Sequence, residues 1–558
     1  MVNLNRRHFL VAGLGTMAVA GLAGCQQDGG GGSTPGKTQD AGTSLPNTEW
    51  ERAERDAVAE GGLLRLAMEQ VPDNWNSDQA NGNNVDTTRV RNPQGFGAWL
   101  IAGEKGELKV NPDYITEAKL ESEDPQVVSV KFNDKAVWED GSPITIDDLI
   151  SYQNALKTDQ GEYEVVSVIG WQDIEKVEKI SDFEGKIHYK KKFADWIGFC
   201  YPSSPKTVTA DAKTFNTGYV DKWIPSCGPY KVANYDKTGG VITLEKNDKW
   251  WGEPGKLDQI VFKVVSQEQM PSAFANGELD AIDVATGDVY DTAAKRSDAV
   301  LKTTNGLTWT HLTINTEKVA DVELRKAMAY AINRPIIAQA VIGPLKAPVV
   351  LVNNLIFMPG QEGYEDTSGG VKHDPAKAAE ILTAAGYEKK DNTFTKDGKQ
   401  PTFAVTVPSG VKSNTDRALQ VQKDLNALGL KVEIKPVPSG EYFKQNVNPR
   451  NFDMVTFSWQ GGTFAVSSGG NLLKKGSSQN YTQFGTDEID ALIAKSNETF
   501  DVAERNKIAN ELSTKAMEAF PIIPFYATPN VMALKNGLVN YGPSQFETVF
   551  WENVGFKK

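Results

Sequence analysis

The chain is poor in the residues that usually carry catalysis or metal binding. Among its 558 residues there are four histidines and three cysteines. Beyond the first 25 residues the histidines are His188, His311 and His373, and none forms a close pair or an HExxH signature. There is no CxxC pair and no GxSxG elbow, and GGSTPGKT at 31–38 has the GxxxxGK spacing but lies in a Gly/Ser/Thr-rich stretch without the flanking strand and helix patterns of a phosphate loop. The GFGAWL stretch at 95–100 begins like a dinucleotide fingerprint but has no third glycine, and DNTFTKDGKQ at 391–400 has too few spaced acids for a calcium loop. A formal net charge of −13 argues against a nucleic-acid partner. Past the N-terminus no apolar run approaches the roughly 18 residues of a membrane span. Enzyme, metalloprotein and nucleic-acid-binding readings therefore have no motif behind them, and no cofactor or metal is expected. Triads are assembled in space, so a missing motif weakens the enzyme reading without removing it.

What is present starts at the N-terminus. Arg6 and Arg7 precede an apolar run from Phe9 to Ala23 interrupted by three glycines. That length suits a signal-peptide core better than a transmembrane helix. The Arg-Arg pair followed by His8, Phe9 and Leu10 resembles a twin-arginine export signal. Leu22-Ala23-Gly24-Cys25 resembles a bacterial lipobox, which implies cleavage after residue 24 and lipidation of the Cys25 thiol. The alternative is an ordinary signal peptide that happens to contain a cysteine. Residues 25–49 include GGGGSTPGKTQDAGTS, which lacks large apolar residues and reads as a flexible tether, with the folded body beginning near Trp50–Leu63. If Cys25 carries lipid, Cys200 and Cys227 remain as an even pair in an oxidising compartment. They form either a disulfide closing a loop of about 27 residues, worth roughly 3 kcal/mol, or two buried thiols that never meet.

The body is 40% hydrophobic and 23% charged over the whole chain, an ordinary globular composition long enough for two or three domains. LLRLAMEQ (63–70), QVVSVKFND (126–134) and FDMVTFSW (452–459) read as strands, and residues 73–86 as a polar, irregular loop. Thr145 is a natural N-cap with Asp148 as its capping-box partner, followed by the stripe Ile146, Leu149, Ile150. GPYKVANYD (228–236) and VITLEKNDKWWG (241–252) suggest a hairpin, and PSAFANGELDAI (271–282) a short helix, a glycine turn and a strand. Residues 322–342 have a helical pattern that Pro335 breaks or restarts. Asp374 and Pro375 open another helix ending near Gly386. Residues 415–437 read as helix, Gly stop and strand, 488–520 as helical with a break near Asp501, and 521–534 as extended. Mixed strands and helices throughout indicate an α/β fold with more than one lobe.

The order of these segments resembles family 5 of the extracellular solute-binding proteins, the peptide- and nickel-binding group that serves ABC importers. The blocks that carry the resemblance are AVWEDGSPITIDDLI, CGPYKV, LEKNDKWWG, FANGELDAI, LRKAMAYAINR, HDPAKAAEILTAAGY and FDMVTFSW. The chain is similar to the actinobacterial oligopeptide-binding lipoproteins of this group, also through NLIFMPGQEGYEDTSG at 354–369. The resemblance implies a two-lobed, periplasmic-binding-protein-like α/β fold of the Venus-flytrap kind. It places lobe I at 50–307 plus 521–558, with an extra subdomain at about 85–205, and lobe II at 308–520. Hinge crossings are expected near 305–312 and 521–527. It also implies a monomeric receptor outside the cytoplasmic membrane, held there by lipid. Such a receptor passes a peptide or other small solute to permease subunits, while separate subunits hydrolyse ATP.

In peptide-binding members the ligand lies extended between the lobes. The matching positions here are Asn81, Gly82, Asn83 and Asn84 in lobe I and Trp459, Gln460, Gly461 and Gly462 in lobe II, with Tyr163 as a second pocket wall beside Trp459. Each has a plainer reading, since Asn and Gly suit turns and a strand tryptophan suits a core. The chain also departs from the family pattern. The aspartate three residues after the tryptophan, which pairs with a peptide α-ammonium, is Gly462 here. The arginine three residues before it is Thr456, and an upstream pocket tryptophan is Gly440. A longer peptide with solvated ends, an acid supplied from elsewhere, or a non-peptide ligand such as an oligosaccharide would each fit. No His/Cys/Met cluster favours nickel.

Overall fold

In the computed structural model, residues 45–158 and 161–558 are described. The expected signal peptide, Cys25 and the glycine-rich part of the tether lie outside them. The folded body begins earlier than expected. Residues 45–49, assigned above to the tether, pack on it: the Leu45 and Pro46 carbonyls accept from Asn305, and Thr48 bridges to Ser544.

Two large sheets organise the chain. The first has seven strands in the order Ala299–Thr304, Asn530–Lys535, Ala281–Asp283, Leu63–Met68, Gln259–Val264, Val241–Lys246 and Tyr230–Asp236. The second has six: Val350–Leu351, Ile522–Ala527, Thr308–Ile314, Met454–Gln460, Thr402–Pro408 and Lys431–Val437. A separate four-stranded antiparallel sheet, Ile115–Glu123, Gln126–Phe132, Glu184–Tyr189 and Ile174–Lys179, forms the body of a subdomain with its own aromatic core around Trp99, Tyr114 and Trp138. Helices cover the sheets, as expected for layers that must each bury one apolar face.

The chain passes between the large sheets twice. The first crossing, at 305–307, falls inside the expected range. The second is displaced: Ile522–Ala527 pairs with Thr308–Ile314 in the second sheet, so the chain returns to the first sheet only at 528–529. The apolar pattern of PIIPFYA suits a central strand as well as a linker, which is why extended chain there did not reveal its sheet.

Local signals carry through to local structure. Thr145 and Asp148 form the capping box of helix Ile146–Leu156, with the Thr145 N–H donating to Asp148 Oδ2 over 2.8 Å. The chain at Pro335 restarts as helix Arg334–Ile342 under an Asn333 cap, after helix Val322–Ala331 has ended. Asp374 caps Pro375–Ala384, and Asp501 divides Asp487–Glu498 from Val502–Ala519.

Of the two readings left open for the cysteine pair, the structure agrees with two buried thiols that never meet. Cys200 and Cys227 are both free and fully buried. Cys200 ends the Trp196–Phe199 turn and its thiol donates to the Trp196 carbonyl, whereas Cys227 lies under the Gln94 carbonyl close to Arg91 and Trp99. Burial among aromatic rings pushes both thiols up, Cys227 to about 12, so neither is present as the thiolate that exchange chemistry needs. In a chain lacking residues 1–25, the native protein should not react with Ellman's reagent, and both thiols should react in guanidinium. A rapidly labelled native thiol, or no thiol after unfolding, contradicts this placement.

Candidate ligand-binding cleft

A cavity of about 260 Å³ lies where the lobes meet. Asp78, Tyr152, Trp171 and Phe199 line it from the first lobe and its subdomain, and Phe464, Ser467 and Ser468 from the second. Local pairing builds the first wall. Residues 78–80 and 164–166 form a short antiparallel bridge, with Val166 N–H donating to the Asp78 carbonyl and Ala80 N–H to the Glu164 carbonyl, each over 2.9 Å. This brings Asp78 beside Val166 and Ser167. Helix Ile146–Leu156 supplies Tyr152 and Leu156, and the turns at Trp171–Asp173 and Trp196–Phe199 add their aromatic rings. The second wall is helix Ala465–Gly469, which follows the Gly461-Gly462 bend.

The lobes touch directly beside the cavity. Arg505 Nη1 pairs with Asp195 Oδ1 at 2.5 Å, both side chains nearly buried. Ala194 N–H donates to the Asn497 carbonyl over 2.7 Å, and Phe199 and Phe464 approach to 6.3 Å between ring centres. The pair is incompletely satisfied: Asp195 Oδ2, Arg505 Nη2 and Asn497 Oδ1 are buried without partners. Desolvation therefore offsets part of the attraction, which suits a contact that must open as well as close.

The expected site residues flank this cavity, and none of them lines it. Gly82 is buried because its own chain needs the space: a Cβ there would lie 1.9 Å from the Asn76 carbonyl oxygen. Asn84 is the N-cap of helix Val85–Arg91, its side chain accepting from the Asp86 and Thr87 N–H groups. Asn81 and Asn83 are exposed. Tyr163 donates to the Thr209 carbonyl over 2.9 Å and meets Phe215 edge-on, holding first-lobe elements together. In the second lobe Trp459 is partly buried, stacked on Tyr481 at 5.7 Å and paired in register with Trp309. Gln460 Oε1 accepts from the Thr308 hydroxyl, Gly461 N–H donates to the Leu307 carbonyl, and the Gly462 carbonyl accepts from Gln361 Nε2. These groups are committed to the fold. The lining begins three residues before the first segment and two after the second. The motif-based reading missed it because Asp78 and Phe464 belong to no pattern.

Electrostatics separates candidate groups from structural ones. Burial pushes the Asp78 carboxyl above its ordinary range, partly opposed by the nearby Arg91 charge and by Tyr152. Arg91 is itself buried and held down to about 10 by desolvation. His311 lies sealed between Trp309 and Phe457, its Nδ1 3.0 Å from the Thr313 hydroxyl, and burial lowers it to about 3, so it stays neutral at physiological pH. Thr456, at the position where an arginine was expected, accepts from Arg417 Nε over 3.1 Å. Among the described residues no group of three or more His, Cys, Asp or Glu side chains is arranged to hold a metal ion.

Two α/β lobes joined by paired crossings, with a cavity walled by both, define a receptor that closes over a solute. The chain belongs to family 5 of the bacterial extracellular solute-binding proteins, whose profile, described as the family 5 middle region, matches residues 81–481. It is 29% identical over 511 residues to the oligopeptide-binding protein OppA of Mycobacterium tuberculosis, covering 90% of this chain and 86% of that protein. Among solved structures, a periplasmic EDTA-binding protein, EppA, superposes with a TM-score of 0.81 at 25% identity over 93% of this chain and 100% of that one. The oligopeptide-binding AppA of Bacillus subtilis, solved with a nonapeptide, superposes with a TM-score of 0.70 at 22% identity over 90% and 100%, a likeness of fold.

Asp195→Asn or Arg505→Gln should favour the open arrangement, since breaking a buried pair costs about 3–5 kcal/mol. The expected readout is a larger radius of gyration for the ligand-free protein by small-angle X-ray scattering, with ligand dissociation at least about tenfold faster. An unchanged radius together with an unchanged off-rate would show that the pair does not govern closure.

Proposed function

We propose that this protein is the lipid-tethered receptor of an ABC importer, closing its two lobes around oligopeptides outside the cell and delivering them to membrane permease subunits. The observation that carries this reading is the cavity built jointly by the lobes, in a chain whose similarity to the mycobacterial oligopeptide-binding protein runs through 90% of its length. A peptide suits a cleft with aromatic walls and hydroxyls, since main-chain hydrogen bonds give affinity and side-chain pockets give tolerance. No group in the cleft forms a nucleophile–base pair, so capture without chemical change is the activity proposed. Lipid on Cys25 would keep the monomeric body near its permease, and the glycine-rich tether would let it reorient. A non-peptide solute is the second reading, favoured by the likeness to the EDTA-binding protein and by Gly462, which leaves no carboxylate where an α-ammonium clamp was expected.

Mass spectrometry of small molecules released from the purified protein by denaturation tests the ligand class. A ladder of mixed peptides is the expected result, and a single glycan or chelator would overturn the peptide reading in favour of the second. The tether is tested separately. Cys25→Ser should move the protein from the membrane fraction to the medium with solute affinity unchanged, and retention in the membrane would contradict the anchor.

A further inference from the structure

We propose that Asp78 is a specificity-determining residue that receives a primary ammonium group of the solute inside the interlobe cavity. The inference rests on the cavity being the solute site. Three observations on the cavity lining converge on it.

First, Asp78 is its only ionisable carboxylate, and no basic side chain joins it there. Second, Asp78 Oδ2 is buried with no hydrogen-bond partner, an arrangement that costs free energy until a donor arrives. The residue's backbone is held by Val166 and by the Asn76 side chain, so the carboxylate is carried on a fixed segment. Third, four aromatic side chains, Tyr152, Trp171, Phe199 and Phe464, surround the same space, and aromatic faces attract cations. The cation nearest Asp78 does not fill the role. Arg91 acts on it through space, but its Nη1 donates to Ser77 Oγ, its Nη2 lies 3.5 Å from the Ser203 carbonyl and its guanidinium covers the Phe96 ring; its Nε has no partner, yet the residue is absent from the lining. An ammonium has three N–H donors, and besides the carboxylate the same lining offers the hydroxyl oxygens of Ser167, Ser467 and Ser468 as acceptors, the latter two with their protons turned to the Phe464 carbonyl. Phe464 and the two serines come from the second lobe, so the cation would be enclosed only when the lobes close.

The ammonium can be the α-amine of a peptide or a lysine-like side chain, and the test separates them. The full chain, stripped of solute by unfolding and refolding, is titrated calorimetrically with phenethylamine and with N-acetylphenethylamine. Penta-alanine, its Nα-acetyl form and Nα-acetyl-tetra-alanyl-lysine follow. The expected result is that phenethylamine binds about 10–100-fold more tightly than its acetylated form, the usual worth of a charge-assisted bond. Asp78→Asn should erase that preference and leave affinity for the acetylated probe unchanged. Loss of binding on acetylating penta-alanine identifies the α-amine, and recovery with the lysine peptide identifies a side-chain amine. The assignment is overturned if phenethylamine does not bind, if the wild-type protein binds amine and amide equally, or if Asp78→Asn keeps the preference. The wild-type comparison holds whether or not the variant folds. Peptides that bind regardless of acetylation would leave the peptide reading standing and remove Asp78. Asp78-dependent binding of phenethylamine without binding of any peptide would do the reverse.

Discussion

Two crossings join the sheets side by side, and at Gly306 they approach so closely that a Cβ would lie 1.9 Å from the Thr528 carbonyl oxygen. Thr528 N–H donates to the Thr308 carbonyl over 2.8 Å, so the crossings are tied to each other where they enter the second sheet. A close, hydrogen-bonded pair of crossings bends more readily than it shears, and hinges of this kind absorb lobe rotation in a few dihedral angles. Much else in the molecule is arranged around it. The Gln545 side chain donates to the Gly306 and Pro359 carbonyls, and Asn47, just past the glycine-rich tether, donates to Gly360 and accepts from Asn305. The first described residues, 45–47, therefore pack on the crossings themselves.

Beside the cavity, the lobes meet imperfectly. A fully satisfied, well-packed interface would hold the cleft shut, whereas the contact here leaves three polar atoms buried without partners around Asp195 and Arg505. Phe464 closes against Phe199 over Gly198, where a Cβ would lie 2.5 Å from the Phe464 ring. The aromatic lid needs the glycine, and the ion pair needs the lid to keep water out. Each contact supports the other, but neither is strong enough to make closure irreversible. A solute that adds its own contacts to both walls can tip such a balance, because a ligand shifts an equilibrium only by its differential affinity for the two states.

Most of the scaffold was legible in the sequence because its boundaries are set by local chemistry. Caps at Thr145, Asp374 and Asp501 and the proline restart at Pro335 act within a few residues, so sequence and structure coincide there. The subdomain strands Ile115–Glu123 and Ile174–Lys179 were not legible. Both are rich in Glu and Lys and mostly solvent-facing, and only pairing with Gln126–Phe132 and Glu184–Tyr189 makes them strands. The return crossing was misplaced for a related reason: extended chain does not announce which sheet it joins. The residues expected at the site, 81–84 and 459–462, lie next to cavity-lining positions in sequence but are not part of the lining. The asparagines and glycines at 81–84 and 461–462 do mark irregular backbone, but that backbone serves its own fold, and the side chains that face the cavity sit one short step away on better-ordered elements.

That displacement has a physical rationale. At Gly461 and Gly462 one N–H and one carbonyl are already bonded within the fold, and the short helix that follows starts from this anchored backbone. The polar groups that line the cavity are side chains on rigid elements: a carboxylate on the bridge at residues 78–80, and the Ser467 and Ser468 hydroxyl oxygens, whose protons go to the Phe464 carbonyl. Side chains discriminate more sharply than backbone does, because a buried polar group without its partner carries the full cost of desolvation. A receptor built this way reads a particular charge or donor on its solute at one point and tolerates variation elsewhere, where its walls are aromatic and apolar.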